Sequence, residues 1–372
     1  MDASANFAVI NCKVICCECK RIHFLTTESW HGNCIYYFTY KGGPSLKLGT
    51  LLSIVIVSIV LLFGCTNGNQ EQSTKAVHQI PAPSKKLASV DSTLLIATGD
   101  MSGVYFPLGK ALANVYEKYN DAATGTQVTK ASIHNTNLVS QKRAEIGFST
   151  VDVLTLPETK KLKLRALTGL YSNFIQIVTT KKSNIHSLWD LRNKRVSVGT
   201  VGSGTKLMSE RVLKAANLVK NEMDISYLSF TQSADALRTG TIDAAFFSSG
   251  LPNPEISDLA AEMDISLISI PKQVADVLHH QYEFYDQDQI SAQTYKGMAE
   301  NIETISVKNV LLTYADMPDQ EAYQLVKTFY KHLPELKKVH PAVLSIHPED
   351  AMQGIPLQFH PGALQYFKEI KQ

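Results

Sequence analysis

The stretch Leu94–Tyr116, LLIATGDMSGVYFPLGKALANVY, decides how the rest of the chain is interpreted. Its apolar run Leu94–Ala97 is typical of a short buried strand, glycines at 99 and 103 interrupt it, and apolar residues then return at helical spacing. The pattern predicts a strand, a glycine loop and a helix. Such a unit directs unpaired backbone N–H groups and the positive helix end at one spot, which suits a carboxylate or phosphate. An ordinary turn, in which the glycines only supply positive φ, is the alternative.

A second segment has the same build. Arg195–Leu213, RVSVGTVGSGTKLMSERVL, runs from an alternating strand through a glycine loop into a helical pattern. It lies about one small-domain length downstream of the first. Two helix starts suited to an anion, one on each of two lobes, predict a cleft that grips one small acid from both sides.

Catalytic motifs do not account for these glycines. Gly199–Lys206 resembles a phosphate-binding P-loop, but that motif needs lysine directly after its last glycine, and here Thr205 precedes Lys206. A nucleotide triphosphatase is therefore disfavoured. No Gly-x-Ser-x-Gly elbow surrounds Ser203, and no His-Glu-x-x-His motif accompanies it, so a hydroxyl that donates a hydrogen bond to a ligand is the better role for Ser203.

Several runs together carry a resemblance to a known family. They are ATGDMSGVYFPLGKALA, ASIHNTNL, LRALTGLYSNFIQIVTTKKSNIHSLWDLRNKRVSVGTVGSGT, ALRTGTIDAAFFSSGLPNPEISDLA and IPLQFHPGALQYFKEI. In this order, over Leu94–Ile370, the chain resembles the substrate-binding proteins of TRAP transporters, TAXI family. The resemblance implies the type II periplasmic binding protein fold, an α/β fold with two lobes. Each lobe is a mixed sheet flanked by helices, and a two-strand hinge joins them.

The same resemblance implies a function. The protein is expected to be an extracytoplasmic receptor that captures a small carboxylate or amino acid, glutamate-like or dicarboxylate, and delivers it to an integral membrane TRAP permease. No base, nucleophile and orienting group occur together, so neither an enzyme nor a cofactor nor a metal is expected. A ligand-binding sensor and an ABC-type substrate-binding protein of the same fold are the alternatives.

Candidate ligand contacts follow from the resemblance and from the carboxyl ends of the expected strands, where open α/β sheets bind ligands. Ser132 and Asn135 match the family's Gly-Ser-Val-Glu-Asn run, whereas Ala131 and His134 depart from it. The full set is Thr98, Gly99, Gly103, Val104, Tyr105, Ser132, Asn135, Ser149, Thr150, Tyr171, Gly202, Ser203, Gly204, Thr205, Phe247, Ser248 and Gly250. Of the adjacent Phe246 and Phe247, one is expected in the core and the other toward the ligand.

Charge and cysteine usage narrow the class of protein. Lys and Arg number 36 against 34 Asp and Glu, so no nucleic-acid partner is implied. All 6 cysteines, Cys12, Cys16, Cys17, Cys19, Cys34 and Cys65, lie near the N-terminus, which leaves the body without disulfide or thiol chemistry. A zinc cluster among them is disfavoured, because the spacing does not give two Cys-x-x-Cys knuckles.

The N-terminal region predicts export. Residues 1–45 are interpreted as a mis-called or non-functional extension, and 46–65 as a lipoprotein signal peptide. The apolar run Leu48–Gly64, of about seventeen residues, ends in Leu-Phe-Gly-Cys, which resembles a lipobox with Cys65 as the lipidated residue. An uncleaved signal anchor is the alternative. Residues 66–90 form a flexible linker, so the body would be tethered in the periplasm or on the outer face of the cytoplasmic membrane.

The body divides into three expected parts. Residues 91–180 form the first part of lobe I, 181–304 form lobe II, and 305–372 return through the hinge to complete lobe I. The two hinge strands are expected to be Ile175–Thr180 and Ile305–Thr313, paired with each other. A helix is expected to begin within Ser183–Leu191.

Overall fold

A computed structural model of the protein describes residues 93–371. The N-terminal extension, the signal peptide, the linker and Cys65 lie outside these residues and stay predictions. Within the described range, no helix combines the length and the apolar character that crossing a membrane requires.

The described chain alternates strands and helices. The strands are β1 Leu94–Ala97, β2 Thr124–Gln127, β3 Ile146–Thr150, β4 Leu164–Thr180, β5 Arg195–Ser197, β6 Asp224–Ser226, β7 Ala244–Ser249, β8 Ile265–Ile268, β9 Tyr285–Ile290 and β10 Ile302–Tyr314. The α-helices are α1 Tyr105–Asn120, α2 Ser132–Ser140, α3 Val151–Leu154, α4 Gly204–Ala215, α5 Phe230–Arg238, α6 Pro254–Glu262, α7 Lys272–Gln281, α8 Asp319–Lys331, α9 Leu333–Leu336 and α10 Pro361–Glu369.

Two long strands organise the sheet. Its strands follow the order β2-β1-β3-β10-β4-β7-β5-β6, with β8 paired to β4 and β9 paired to β10. β10 lies antiparallel to β3, and β4 lies antiparallel to β7. Counted inward from one edge, the order is β2-β1-β3-β10-β4. Counted inward from the other edge, it is β6-β5-β7-β4-β8, with the long strand β4 belonging to both halves. The two halves of the sheet are therefore alike in topology.

We call β1–β3 with α1–α3, α8 and α10 the first lobe, and β5–β8 with α4–α7 the second lobe. β4 and β10 run through both. One buried apolar cluster fills the first lobe around Leu108, Phe148 and Phe329, and another fills the second lobe around Phe247 and Leu259. A third cluster contains residues of both lobes, so hydrophobic burial also joins the lobes.

Both glycine units have the predicted form. β1 is followed by the loop 98–104 and α1, and β5 is followed by the loop 198–203 and α4. In the second loop, Gly199 and Gly202 both have φ of 89°, a conformation that side chains with a Cβ rarely adopt. The predicted fold class, α/β with mixed sheet flanked by helices in each half and two connecting strands, is confirmed.

Two local predictions were wrong. Ile175–Thr180 pairs with β7 and β8, whereas the contact between β4 and β10 is made by residues 164–174 and 306–314. The segment Ser183–Leu191 contains no α-helix: Lys181–Ser183 and Leu188–Leu191 are short 3-10 turns. Asn184, in the left-handed conformation at φ 54°, ends the first turn, and Ser187 caps the second.

Candidate functional site

A cavity of about 410 Å³ lies where the two lobes face each other. The first lobe contributes residues 99–101 and 103–105 after β1, residues 128–132 and Thr150 at the end of β3. The second lobe contributes residues 199–200 and 203–205 after β5 and residues 228–231 after β6. Tyr171 and Asn173 of β4 and Ser248 and Ser249 of β7 complete the lining. The carboxyl ends of the parallel strands thus converge on one space, as expected for open α/β sheets.

The N-termini of α1 and α4 both reach this cavity. α1 follows Val104, which offers no side-chain cap, and its first turn contains no acidic residue. α4 is capped by the Ser203 hydroxyl, which accepts from the Lys206 amide at 3.1 Å, and its first turn also lacks an acid. No carboxylate in either first turn therefore offsets the positive end of the helix dipole.

Most of the residues predicted as ligand contacts lie together in the lining. These residues include side-chain hydroxyls from both lobes and glycines at which the backbone comes close to the cavity. Those in the lining are Gly99, Gly103, Val104, Tyr105, Ser132, Thr150, Tyr171, Ser203, Gly204, Thr205 and Ser248. The structure brings them together; their contact with a ligand stays a prediction.

Asn135, Thr98 and Ser149 lie outside the lining, contrary to the prediction. Asn135 is fully buried, and its amide donates to the carbonyls of Thr98 at 2.6 Å and Phe148 at 2.8 Å. The Thr98 hydroxyl donates to the Gln127 carbonyl, and that of Ser149 donates to the Thr150 carbonyl. These polar groups are engaged in holding the first lobe together and are not among the residues that the cavity exposes.

Phe247, Gly202 and Gly250 also lie outside the lining. Phe246 and Phe247 are both fully buried in the core, and neither lies in the lining. Phe230 does line the cavity, and its ring lies tilted against that of Phe247 with the centroids 5.1 Å apart. The Gly202 carbonyl accepts from the His134 amide. A Cβ on Gly250 would lie 2.5 Å from the Ala342 Cβ, so close packing explains this glycine.

Sequence reasoning missed part of the lining. The missed residues lie beside predicted loops or on a third loop, after β6: Asp100, Met101, Val128, Thr129, Lys130, Ala131, Asn173, Gly199, Thr200, Leu228, Ser229, Phe230, Thr231 and Ser249. A signal for the third loop was present. Ser229 and Gln232 form a capping box at the start of α5, and this serine-x-x-glutamine spacing is visible in the sequence.

The lobes touch across the cleft. The His134 amide of the first lobe donates to the Gly202 carbonyl of the second at 3.2 Å, and burial lowers the pKa of the His134 ring. A Cβ on Gly204 would lie 2.9 Å from Thr150 Oγ1 and 3.0 Å from Ser132 Oγ. Glycine at 204 therefore permits this close approach.

A buried polar cluster, Asp152, Arg211 and Tyr285, joins the lobes next to the cavity. The Tyr285 hydroxyl donates to Asp152 Oδ2 at 2.8 Å and accepts from Arg211 Nη1 at 2.9 Å. Arg211 Nη1 lies 3.6 Å from Asp152 Oδ2. The Asp152 side chain is fully buried, and desolvation raises the pKa of its carboxyl although Arg211 and Tyr285 favour the ionised form.

The described residues show no arrangement for metal chemistry. Within 93–371, no three His, Cys, Asp or Glu side chains are placed to hold one ion. What the cavity offers is hydrogen-bond donors, hydroxyls and apolar surface in a space closed by two lobes, which suits reversible binding of a small molecule.

A family model described as "NMT1-like family" matches residues 96–370. The match begins within β1 and ends directly after α10, so it spans both lobes and every element of the cavity.

Solved structures with a similar backbone fold include the following three. The periplasmic aliphatic sulphonate binding protein SsuA from Escherichia coli is 12% identical, with a TM-score of 0.40 over 68% of this chain and 81% of that one. A putative L-cystine ABC transporter protein from Listeria monocytogenes is 13% identical, with a TM-score of 0.44 over 71% and 99%. The GluR0 ligand-binding core in complex with L-glutamate is 11% identical, with a TM-score of 0.41 over 67% and 98%. Likeness of this degree says nothing about the ligand of this chain.

Proposed function

The chain belongs to the NMT1-like family, and we propose that it is an extracytoplasmic solute-binding receptor that captures a small carboxylate-bearing molecule for a membrane transporter. One observation carries the proposal: a cavity between two topologically alike lobes, with an uncapped or hydroxyl-capped helix start facing it from each side. Contacts from both lobes favour the closed arrangement only while a solute is bound.

Ligand-dependent closure is the mechanism we propose. β4 and β10 connect the lobes, and rotation of a few backbone bonds within them would separate the glycine loops. Small-angle scattering of the protein alone and with saturating solute tests this: the radius of gyration should fall on binding. An unchanged radius, with binding shown by calorimetry, would contradict closure.

The transporter partner we propose is an integral membrane permease of the TRAP type, as the TAXI resemblance implies. Delivery to an ATP-driven ABC transporter is the second candidate, since a two-lobed receptor serves either. A neighbouring gene for a many-helix TRAP permease, and capture of that permease by the liganded receptor, would support the first. Capture of a permease with an ATPase subunit would overturn it.

Anchoring forms a separate part of the proposal. We infer that Cys65, outside the described residues, carries the lipid that holds the receptor at the membrane. The change Cys65→Ser should abolish lipid labelling and block cleavage after Gly64. Labelling that persists in the variant, or a precursor that is never cleaved in the parent chain, would refute lipidation and favour a signal anchor.

A further inference from the structure

The cavity contains buried hydroxyls without partners. Tyr171 and Ser249 both line it, are 2% and 3% exposed, and find no hydrogen-bond partner for their side-chain oxygens among residues 93–371. Tyr171 lies on β4 and Ser249 at the end of β7, which is paired to β4. A buried polar atom normally has a partner, because leaving it unpaired is costly. These hydroxyls therefore point to a polar group that a ligand brings.

Two helix starts and a lysine add donors to the cavity. The starts of α1 and α4 present backbone N–H groups, which can only donate. Lys130 lies in the lining as well and forms no ion pair within the described residues. Donors of this kind select an oxyanion, since its oxygens accept several hydrogen bonds at once.

Few acidic groups face a ligand ammonium group. Asp100 is the acidic residue in the lining, and one of its two oxygens, Oδ1, already accepts from the backbone amide and the hydroxyl of Ser102, at 3.0 and 2.8 Å. Asp152 lies near the cavity but not in its lining, and its carboxylate is engaged by Tyr285 and Arg211. An ammonium enclosed here would face the positive ends of two helices, which disfavours it.

Apolar side chains cover much of the remaining wall. Val104 and Val128 contribute from the first lobe, Leu228 and Phe230 from the second, and Met101 lies at the edge with 66% of its surface exposed. A second carboxylate placed against this wall would lose hydration without gaining partners. An apolar body fits the wall better.

We propose that the cleft selects an organic oxyanion, a carboxylate or a sulfonate, carried on an apolar body and lacking an ammonium group. The oxyanion lies at the helix starts, and the Tyr171 and Ser249 hydroxyls complete its hydrogen bonds. This inference rests on the receptor function proposed above and names the class of its solute. It departs from the glutamate-like or dicarboxylate solute that the family resemblance implies.

Matched ligands test the proposal by calorimetry on the full chain purified in detergent. Hexanoate and 2-aminohexanoate differ only by the ammonium group, and hexanoate and adipate share a six-carbon chain and differ in the second carboxylate. Hexanoate should bind at least tenfold more tightly than either, and tenfold corresponds to about 1.4 kcal/mol. Hexane-1-sulfonate tells the two oxyanions apart: weaker binding than hexanoate assigns a carboxylate, and tighter binding assigns a sulfonate.

The failures can be distinguished. If 2-aminohexanoate, L-glutamate or adipate binds as tightly as hexanoate or hexane-1-sulfonate and compacts the protein in scattering, the solute class is wrong and the receptor function stands. If none of these compounds binds, both proposals fail.

A tyrosine pair supplies the variant test. Tyr171→Phe removes the unpartnered hydroxyl and should weaken hexanoate binding tenfold to a hundredfold, without lowering the melting temperature of the ligand-free protein. Tyr116→Phe is the matched control, because Tyr116 is equally buried but donates to the Leu325 carbonyl away from the cavity. Unchanged affinity in Tyr171→Phe, or an equal loss in Tyr116→Phe, would overturn the role of Tyr171.

Discussion

The lobes meet at two neighbouring places that treat buried polar groups in opposite ways. In the cluster of Asp152, Arg211 and Tyr285, each group is the partner of another. In the cleft, the Tyr171 and Ser249 hydroxyls have no partner within the described residues. An unpaired buried group costs about 1–3 kcal/mol, so stability alone can explain the cluster but not the cleft. The difference indicates that the hydrogen-bond partner of the two cleft hydroxyls comes from a bound ligand.

The largest expected effect comes from breaking the cluster. Arg211→Met leaves the Asp152 carboxylate buried without its cation, and such a change costs about 3–5 kcal/mol of unfolding free energy. Urea unfolding measures the loss. Arg195→Met is the control, since the Arg195 side chain is 45% exposed and its partner Asp243 is 21% exposed, so water can reach the carboxylate and the loss should be smaller. Equal losses in the two variants would show that the cluster stabilises the fold no more than a partly exposed ion pair does.

A methyl group at Gly204 should act on the cleft alone. The added Cβ would lie within 3.0 Å of the Ser132 and Thr150 hydroxyls, so Gly204→Ala should oppose the observed approach of the lobes by about 1–3 kcal/mol. Affinity for hexanoate should fall about tenfold or more, which calorimetry measures. The unfolding midpoint of the ligand-free variant serves as the control and should stay near that of the parent, because the lobes can separate.

Substitutions of Ser203 and Thr205 should show which residue stabilises the helix start and which contacts the ligand. Ser203 caps α4, so Ser203→Ala should lower the unfolding free energy by about 1 kcal/mol. Thr205 lines the cavity without capping the helix, so Thr205→Val should weaken ligand binding and leave stability nearly unchanged. Denaturant unfolding and calorimetry on both variants give the comparison. A stability loss confined to Thr205→Val would reverse these roles.

The smallest expected effect is a pH dependence of the cluster. Burial raises the pKa of the Asp152 carboxyl above its ordinary value of 3.8, so the folded state binds this proton more tightly than the unfolded chain. The contribution of Asp152 to stability is therefore complete below pH 3.8 and is lost as pH rises through the raised pKa. Unfolding of the parent and of Asp152→Asn, compared from pH 3 upward, measures it. A relative stability that instead rises with pH would mean that Arg211 and Tyr285 hold this pKa below 3.8.

The two glycine loops show which parts of the fold could be predicted from the sequence. Their strands, loops and helices were predicted because hydrophobic period and glycine placement act over some twenty residues of contiguous chain. The register of β4 was not predicted correctly, because Ile175–Thr180 can pair with any antiparallel neighbour and only the assembled sheet selects β7 and β8.

Asn135 shows why the site was predicted only in part. An asparagine near a strand end can face a ligand or join a buried network, and its sequence neighbours are the same in both cases. Packing of α2 within the first lobe places the Asn135 amide between the Thr98 and Phe148 carbonyls, an arrangement that depends on residues distant in sequence. Ser249 is the converse case, an unremarked serine that the pairing of β7 with β4 leaves in the cavity wall.

By itself, the sequence determined the alternation of strands and helices, the glycine loops at two helix starts and the α/β class, since these depend on local propensity and on the period of apolar residues. The tertiary structure alone decided which hydroxyls are consumed by internal hydrogen bonds and which are left for a ligand. It also brought Asp152 to Arg211 and Tyr285, residues far apart in the chain. The physical reason is that the partner of a buried polar group is chosen by the packing of whole elements, which neighbouring residues do not specify.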